Sequence, residues 1–234
     1  MHMPQNLDEL WPPFGLVIAL GPVTLSPVRD DDLPALAALV DDGVHAPADM
    51  PFSFPWTSGT PGEVRLRLLQ DHWAQRAAMT PAAWTLETSV RVNGEIVGCQ
   101  SISTTDYLVT RTRETGSWLG MKHHGHGIGT LMRQALCAFM FGHLGAVEVT
   151  SAAFLDNAPS LAVSKKVGYT ENGIARLKRR DDEMAVIQRL VVTAKTLNLP
   201  EYELTVRGVP PLQEFLGWAQ VRRGAASDAG EISE

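Results

Sequence analysis

A chain of 234 residues, 44% hydrophobic and 20% charged, sits at the globular average, which excludes collagen-like, disordered and membrane-spanning classes and lets one domain bury its core without disulfides or a structural metal. The formal charge of -6 and the pI near 5.6 exclude broad phosphate-backbone binding, which relies on clustered Lys and Arg, so no nucleic-acid partner is expected. Cys99 and Cys137 sit in apolar runs without a CxxC, and the N-terminus shows neither a basic-then-apolar leader nor a span long enough for a bilayer, so a reduced, cytoplasmic protein with no membrane partner is expected.

After a Pro-rich lead-in over 1–22, Val23 to Val28 alternates apolar and polar residues and predicts a strand with one buried face. Asp30 and Asp31 then precede LPALAALV, an acidic first turn with an early Pro that predicts a helix. The stretch 41–60 holds several prolines and glycines and also Met50, Phe52, Phe54 and Trp56, an apolar density that marks a functional loop. Val64, Leu68, Trp73 and Ala77 follow at near-helical spacing, predicting a second helix over 61–78. TLETSVRV and EIVGCQSIS flank Asn93-Gly94, the strongest short hairpin signal.

A strand at TGSWLGM comes next, then HHGHGIG opens an apolar-periodic helix ending near Gly142 to Gly145. AVEVTSAAF reads as a strand, Pro159 to Val167 as a helix closed by Gly168, and short and long strands follow at Tyr169 and at Glu183 to Val192. The predicted order is β-α-α-β-β-β-α-β-α-β-β, an α/β arrangement over 23–192. An extension over 193–224 carries no derivable role, and the acidic, small-residue end over 225–234 reads as a frayed tail.

Gly125, Gly127 and Gly129 lie where a strand hands over to a helix. Unpaired helix N–H groups and the positive end of the dipole favour an anion there, and glycines let the backbone close on phosphate oxygens. A tight turn with no ligand is the plain alternative. A dinucleotide site is disfavoured because Thr130 stands where the third fingerprint glycine belongs, and a nucleotide-triphosphate loop because no GK[ST] follows.

WLGMKHHGHGIGTLM followed by LDNAPSLAVSKKVGYTENG resembles the acyl-CoA-binding core of the GCN5-related N-acetyltransferase (GNAT) family, in its RimJ/RimL-like branch. His124, Gly127 and Gly129 occupy the family's Arg/Gln-x-x-Gly-x-Gly/Ala positions, with His124 a departure from the usual Arg or Gln. The resemblance implies a GNAT fold, a mixed, mostly antiparallel sheet flanked by helices with a splayed strand pair that holds acetyl-CoA or another acyl-CoA. It also implies that backbone groups of Leu119 and Met121 pair with the pantetheine arm, and that His124, Gly125, His126, Gly127, Ile128, Gly129 and Thr130 wrap the pyrophosphate. Asn157 would meet the pantetheine amide, and Lys165 and Lys166 the nucleotide phosphate. Asn157 also suits a helix N-cap.

Acyl transfer from a thioester to an amine needs a neutral amine, a stabilised oxyanion and a proton for the thiolate. Ser160 matches the serine that such proteins place near the sulfur, and Glu114 matches a carboxylate some members use to drain the amine's proton. A helix-turn residue and a solvated strand-end charge are the respective alternatives. His45 and His72 are further candidates for the base and, with Phe52 and Trp56, are expected to line the acceptor side. His123, His124 and His126 lack a metal-ligand spacing, and no metal is expected. The expected activity is acyl transfer to a small-molecule or protein amine, with a homo-oligomer an open possibility. An acyl-CoA-binding sensor is the non-enzymatic alternative, and a nucleotide-dependent oxidoreductase a weaker one.

Overall fold

The computed structural model describes residues 6–220. The Asn93-Gly94 turn joins β3 (Ala83–Val92) to β4 (Glu95–Thr105), and both turn residues take positive φ, 50° and 90°. With β1 (Val17–Leu20), β2 (Val23–Pro27), β5 (Thr112–Leu119), β6 (Glu148–Phe154), β7 (Thr170–Arg180), β8 (Glu183–Thr193) and β9 (Leu204–Arg207) they form one sheet in the order β7-β8-β6-β5-β4-β3-β2-β1-β9. The pairings are antiparallel except where β5 lies beside β6.

Helices cover the two faces because their apolar stripes require it. α2 (Leu33–Asp42) and α3 (Pro61–Ala77) bury Leu33, Leu36 and Leu68 with Val28 and Cys99, and a reciprocal Thr60–Glu63 capping box starts α3. On the other face α5 (Ile128–His143) buries Met132, Leu136, Phe139 and Met140 against Leu25, Val90, Ile102 and Val149. α6 (Ala158–Val167) ends at Gly168 in the left-handed conformation, as its sequence predicts. Short helices α1 (Leu7–Leu10), α4 (Tyr107–Thr110) and α7 (Val209–Phe215) complete the chain. Among the described residues no helix is long and apolar enough to cross a membrane.

Besides these three short helices, four strands depart from the sequence reading. The lead-in contributes β1, and the extension contributes β9, which pairs with β1 through Val17↔Arg207 to Leu204↔Leu20; Leu212, Leu216 and Trp218 are buried in the main core. Four-residue strands carry too little alternation to read singly and exist here because partners flank them. β5 begins at Thr112, three residues before the predicted TGSWLGM, and β7 is an eleven-residue edge strand. The early start of β5 adds Arg113, 2% exposed, whose guanidinium carbon lies 3.1 Å from the Tyr107 ring centroid and 4.7 Å from that of Trp84; burial lowers its pKa. The expected tail over 225–234 lies outside the described residues, as does the end of the extension.

The feature that positions the site is the short contact between β5 and β6. They pair only from Thr112↔Glu148 to Glu114↔Thr150, after which β5 stays with β4 and β6 with β8, and a V opens between them. Thr150 Oγ1 donates to Arg113 O at 2.9 Å and Thr115 Oγ1 to Thr150 O at 3.2 Å, closing the base of the V.

Candidate active site

A cleft of about 1300 Å³ occupies the V and continues beneath the loop between α2 and α3. Its backbone chemistry follows from the β4–β5 register. Gly120 N–H donates to Val97 O, so by the alternation of an antiparallel ladder Gly116 and Trp118 bond to β4, while the N–H and C=O of Ser117 and the N–H of Leu119 face the gap left by β6. Unpaired strand groups of this kind can accept an extended ligand as an added strand.

At the mouth of the V the chain turns from β5 into α5. Gly127, the residue before α5, sits at φ 79°, ψ -6°, Gly125 also has φ 79°, and a Cβ built on either would meet nothing within 4 Å. Thr130 and Leu131 N–H donate to Gly127 O, and no side chain caps the helix. The earlier N–H groups of α5 therefore face open space at the positive end of the dipole, as an anion cradle requires. His124, Gly125, Gly127, Ile128, Gly129 and Thr130 line the cleft, whereas His126 and Lys165 do not; Lys166 does.

Two expected backbone contacts are modified. Met121 lines the cleft, but its N–H donates to Gly43 O at 2.9 Å and its carbonyl accepts from His124 N–H at 3.1 Å, so both groups serve to tie down the loop after α2. His124 Nε2 lies 3.0 Å from Leu119 O; a carbonyl only accepts, so Nε2 carries the proton and His124 braces the strand end. Asn157 Oδ1 accepts from Ser160 N–H at 3.2 Å, making Asn157 the N-cap of α6. Asn157 and Ser160 line the same cleft, and neither the Asn157 amide nitrogen nor the Ser160 hydroxyl has a hydrogen-bond partner among the described residues.

The loop residues gather on one side of the cleft. His45, Phe52, Trp56 and Trp118 form a ladder of ring contacts with centroid separations of 5.7, 5.2 and 5.6 Å. Phe54, by contrast, is 66% exposed. Both His45 nitrogens are engaged: Nδ1–H donates to Ala46 O at 2.8 Å, so Nε2 accepts from Thr57 Oγ1 at 2.7 Å, and the ring holds the loop's shape. Arg67 of α3 donates to Trp56 O and Ser58 O, and Arg180 at the β7–β8 tip donates to Ala48 O at 2.9 Å, so the loop is bound from both sides. Glu114 lines the cleft as an exposed side chain inside β5, and His72 lines it from α3, 6% exposed, with burial lowering its pKa.

Three charged residues of the cleft escape a reading of the sequence. Arg133, the one cation in the apolar run of α5, is buried and reaches Ser164 Oγ at 2.8 Å and Ser117 Oγ at 3.2 Å, joining α6 to β5 across the V. Arg179 of β7 lies over the Phe154 ring at 4.0 Å and forks onto Asp156 at 2.8 and 2.7 Å, with Glu183 at 3.2 Å. Glu87 of β3 accepts from the Cys99 thiol at 3.1 Å, and burial pushes its carboxyl up to about 7. Glu87 is a single acid in TLETSVRV, where nothing in the sequence says which face is enclosed. Among the described residues no group of three His, Cys, Asp or Glu side chains is placed to hold a metal ion.

Residues 23–170 match the family model described as acetyltransferase (GNAT) domain. A curated relative, YdaF of Bacillus subtilis (strain 168), provisionally named a ribosomal N-acetyltransferase, is 31% identical over 91 residues, 39% of this chain and 49% of that protein, so the match spans about half the relative's length. Among solved structures, RimJ of Mycobacterium smegmatis in complex with CoA-disulfide has a TM-score of 0.67 at 20% identity, covering 86% of this chain and 94% of that one. The RimL ribosomal L7/L12 α-N-protein acetyltransferase in complex with coenzyme A has a TM-score of 0.62 at 17% identity, covering 76% and 97%. At these identities the two structures establish the shared fold.

Proposed function

The chain belongs to the GNAT acetyltransferase family, and from that premise we propose that it is an acyl-CoA-dependent N-acyltransferase, with acetyl-CoA its first donor and a primary amine its acceptor. The observation that carries this reading is the open V between β5 and β6 with an unobstructed left-handed glycine turn at its mouth. A strand edge for the amide-bearing arm and a helix N-terminus for the pyrophosphate meet the two chemical demands of a CoA thioester in one cleft.

In this reading the N–H and C=O of Ser117 and the N–H of Leu119 hold the pantetheine arm, while the Leu119 carbonyl is held by His124, and a backbone N–H of β5 faces the developing oxyanion. The turn from His124 to Thr130 takes the pyrophosphate, with Lys166 beside it. Proximity then supplies much of the rate, because the nucleophile and the thioester share an enclosed cleft. The names of these relatives point to ribosomal proteins as their acceptors, so a polypeptide α-amine is the first acceptor to test here. Thiol release from acetyl-CoA with a panel of N-terminal peptides and small amines checks the assignment. We expect turnover with at least one amine; tight acyl-CoA binding with none would favour a sensor, and transfer only from succinyl-CoA would reassign the donor.

Ser160 lies in the first turn of α6, lines the cleft and has a hydroxyl without a hydrogen-bond partner among the described residues, and in this proposal that hydroxyl donates to the departing thiolate. Ser160→Ala should lower kcat by roughly tenfold to a hundredfold, since each ~1.4 kcal/mol of transition-state stabilisation is a factor of ten. Acyl-CoA affinity should stay unchanged, because the contact is made to charge that develops only during reaction. Equal losses in affinity and turnover, measured by calorimetry and single-turnover kinetics, would make Ser160 a binding residue instead.

A further inference from the structure

Resting on the N-acyltransfer reading, we propose that Glu87 takes the proton of the acceptor amine, in an acceptor subsite that it forms with Asp71 and His72 of α3. The β-sheet register places it there. Glu87 is paired with Ser101, and Ser101 with Gly116, so the three form one row across β3, β4 and β5 that ends at the splay. Two strand spacings put Glu87 roughly 10 Å from the β5 backbone. Gly116 carries no side chain to block that row, and Glu87, Ser101, Gly116, Asp71 and His72 all line the cleft.

The competing groups are each less suited. Glu114 is exposed, and both His45 nitrogens are bound within the loop. Glu87 forms no ion pair among the described residues, and its one side-chain partner is the Cys99 thiol, which burial keeps protonated. His72 adds the independent sign of an unfilled polar site: its Nδ1 is buried without a hydrogen-bond partner in the wall of the same cleft. Arg67, Asp71 and His72 of α3, Cys99 of β4 and Glu114 of β5 are the charged and titratable groups lining this side. Of these, Asp71 raises the Glu87 carboxyl by repulsion, adding to the larger effect of burial.

The proton balance is complete without another reactant. The amine enters as an ammonium, attracted by the Glu87 and Asp71 carboxylates, and gives one proton to Glu87. The freed nitrogen lone pair forms the C–N bond to the thioester carbonyl carbon, and the C–S bond breaks with its electron pair going to sulfur. The second proton lost by nitrogen ends on the thiolate, and Glu87 returns the first to water past the exposed Asp71. The sum is ammonium plus thioester giving amide, thiol and one proton.

The test is the pH profile of kcat/KM for the amine at saturating acyl-CoA. Wild type should fall with unit slope below about pH 7, following the Glu87 carboxylate. Glu87→Gln should lose about a hundredfold or more at pH 8, the range of general-base removal, and lose that limb, with acyl-CoA affinity and Tm unchanged. Glu87→Asp should restore part of the rate. Asp71→Asn should move the limb to lower pH, and it decides the matter even if Glu87→Gln fails to fold. Glu87→Gln within threefold of wild type and keeping the limb, or an unmoved limb in Asp71→Asn, would overturn the proposal while leaving N-acyltransfer standing. Absence of transfer by wild type to any amine would overturn both.

Discussion

Gly127→Val should weaken acyl-CoA binding by at least about a hundredfold, some 2.7 kcal/mol, while the protein still folds. Gly127 sits at φ 79° immediately before α5, where a β-branched residue is strained by roughly 1–2 kcal/mol, and nothing stands within 4 Å of the added Cβ. The strain is therefore local, and the new side chain occupies the space in front of the helix N–H groups that the pyrophosphate is proposed to fill. Loss of one or two charge-assisted hydrogen bonds, about 1.5–3 kcal/mol each, accounts for the size of the effect. Calorimetric titration with CoA beside a thermal melt checks it: unchanged affinity in a folded variant would remove the phosphate-cradle assignment.

Gly98→Ala should be strongly damaging, because the added methyl group lies directly against the β5 backbone that forms the cleft wall. Val90 pairs with Gly98 and Arg91 with Ile96, so Val97 is an extra residue that bulges β4 beside the strand end of the V. A Cβ at Gly98 would lie 2.2 Å from Trp118 O and 2.8 Å from Leu119 Cα, both of them backbone atoms. Relief requires β5 to move away from β4 at the residues proposed to hold the pantetheine. We expect a loss of about 3 kcal/mol or more, the upper range for overpacking. For a chain of this size that is roughly 6–12 °C in Tm, accompanied by weaker acyl-CoA binding. Gly62→Ala is the matched control: it lies in α3 with no atom within 4 Å and should be neutral or slightly stabilising. A Gly98→Ala melt no lower than that control would show that β4 and β5 can separate freely.

Local chemistry was legible in the sequence wherever it depends on neighbours along the chain. Asn93-Gly94 specified its hairpin because both residues tolerate the turn's positive φ, Asn157 its helix cap, and Gly125 and Gly127 the open turn before α5. The paired motifs HHGHGIG and DNAPS carried the family. What depends on partners distant in sequence was not legible. The strand Val17–Leu20 exists because β2 and a segment almost two hundred residues later bond to it, and Met121 N–H is spent on Gly43 because the loop after α2 folds back onto the end of β5. Glu87 is the sharpest instance, since a strand residue's sequence neighbours say nothing of what covers its face. Only the packing of α3 over β3 and β4, which places Asp71, His72 and Cys99 around it and withdraws it from bulk solvent, pushes an ordinary strand carboxyl up to about 7. Sequence alone thus determined which backbone shapes this chain can make, and tertiary structure decided which of its charges are desolvated, because the free energy of a charge is set by everything around it in space.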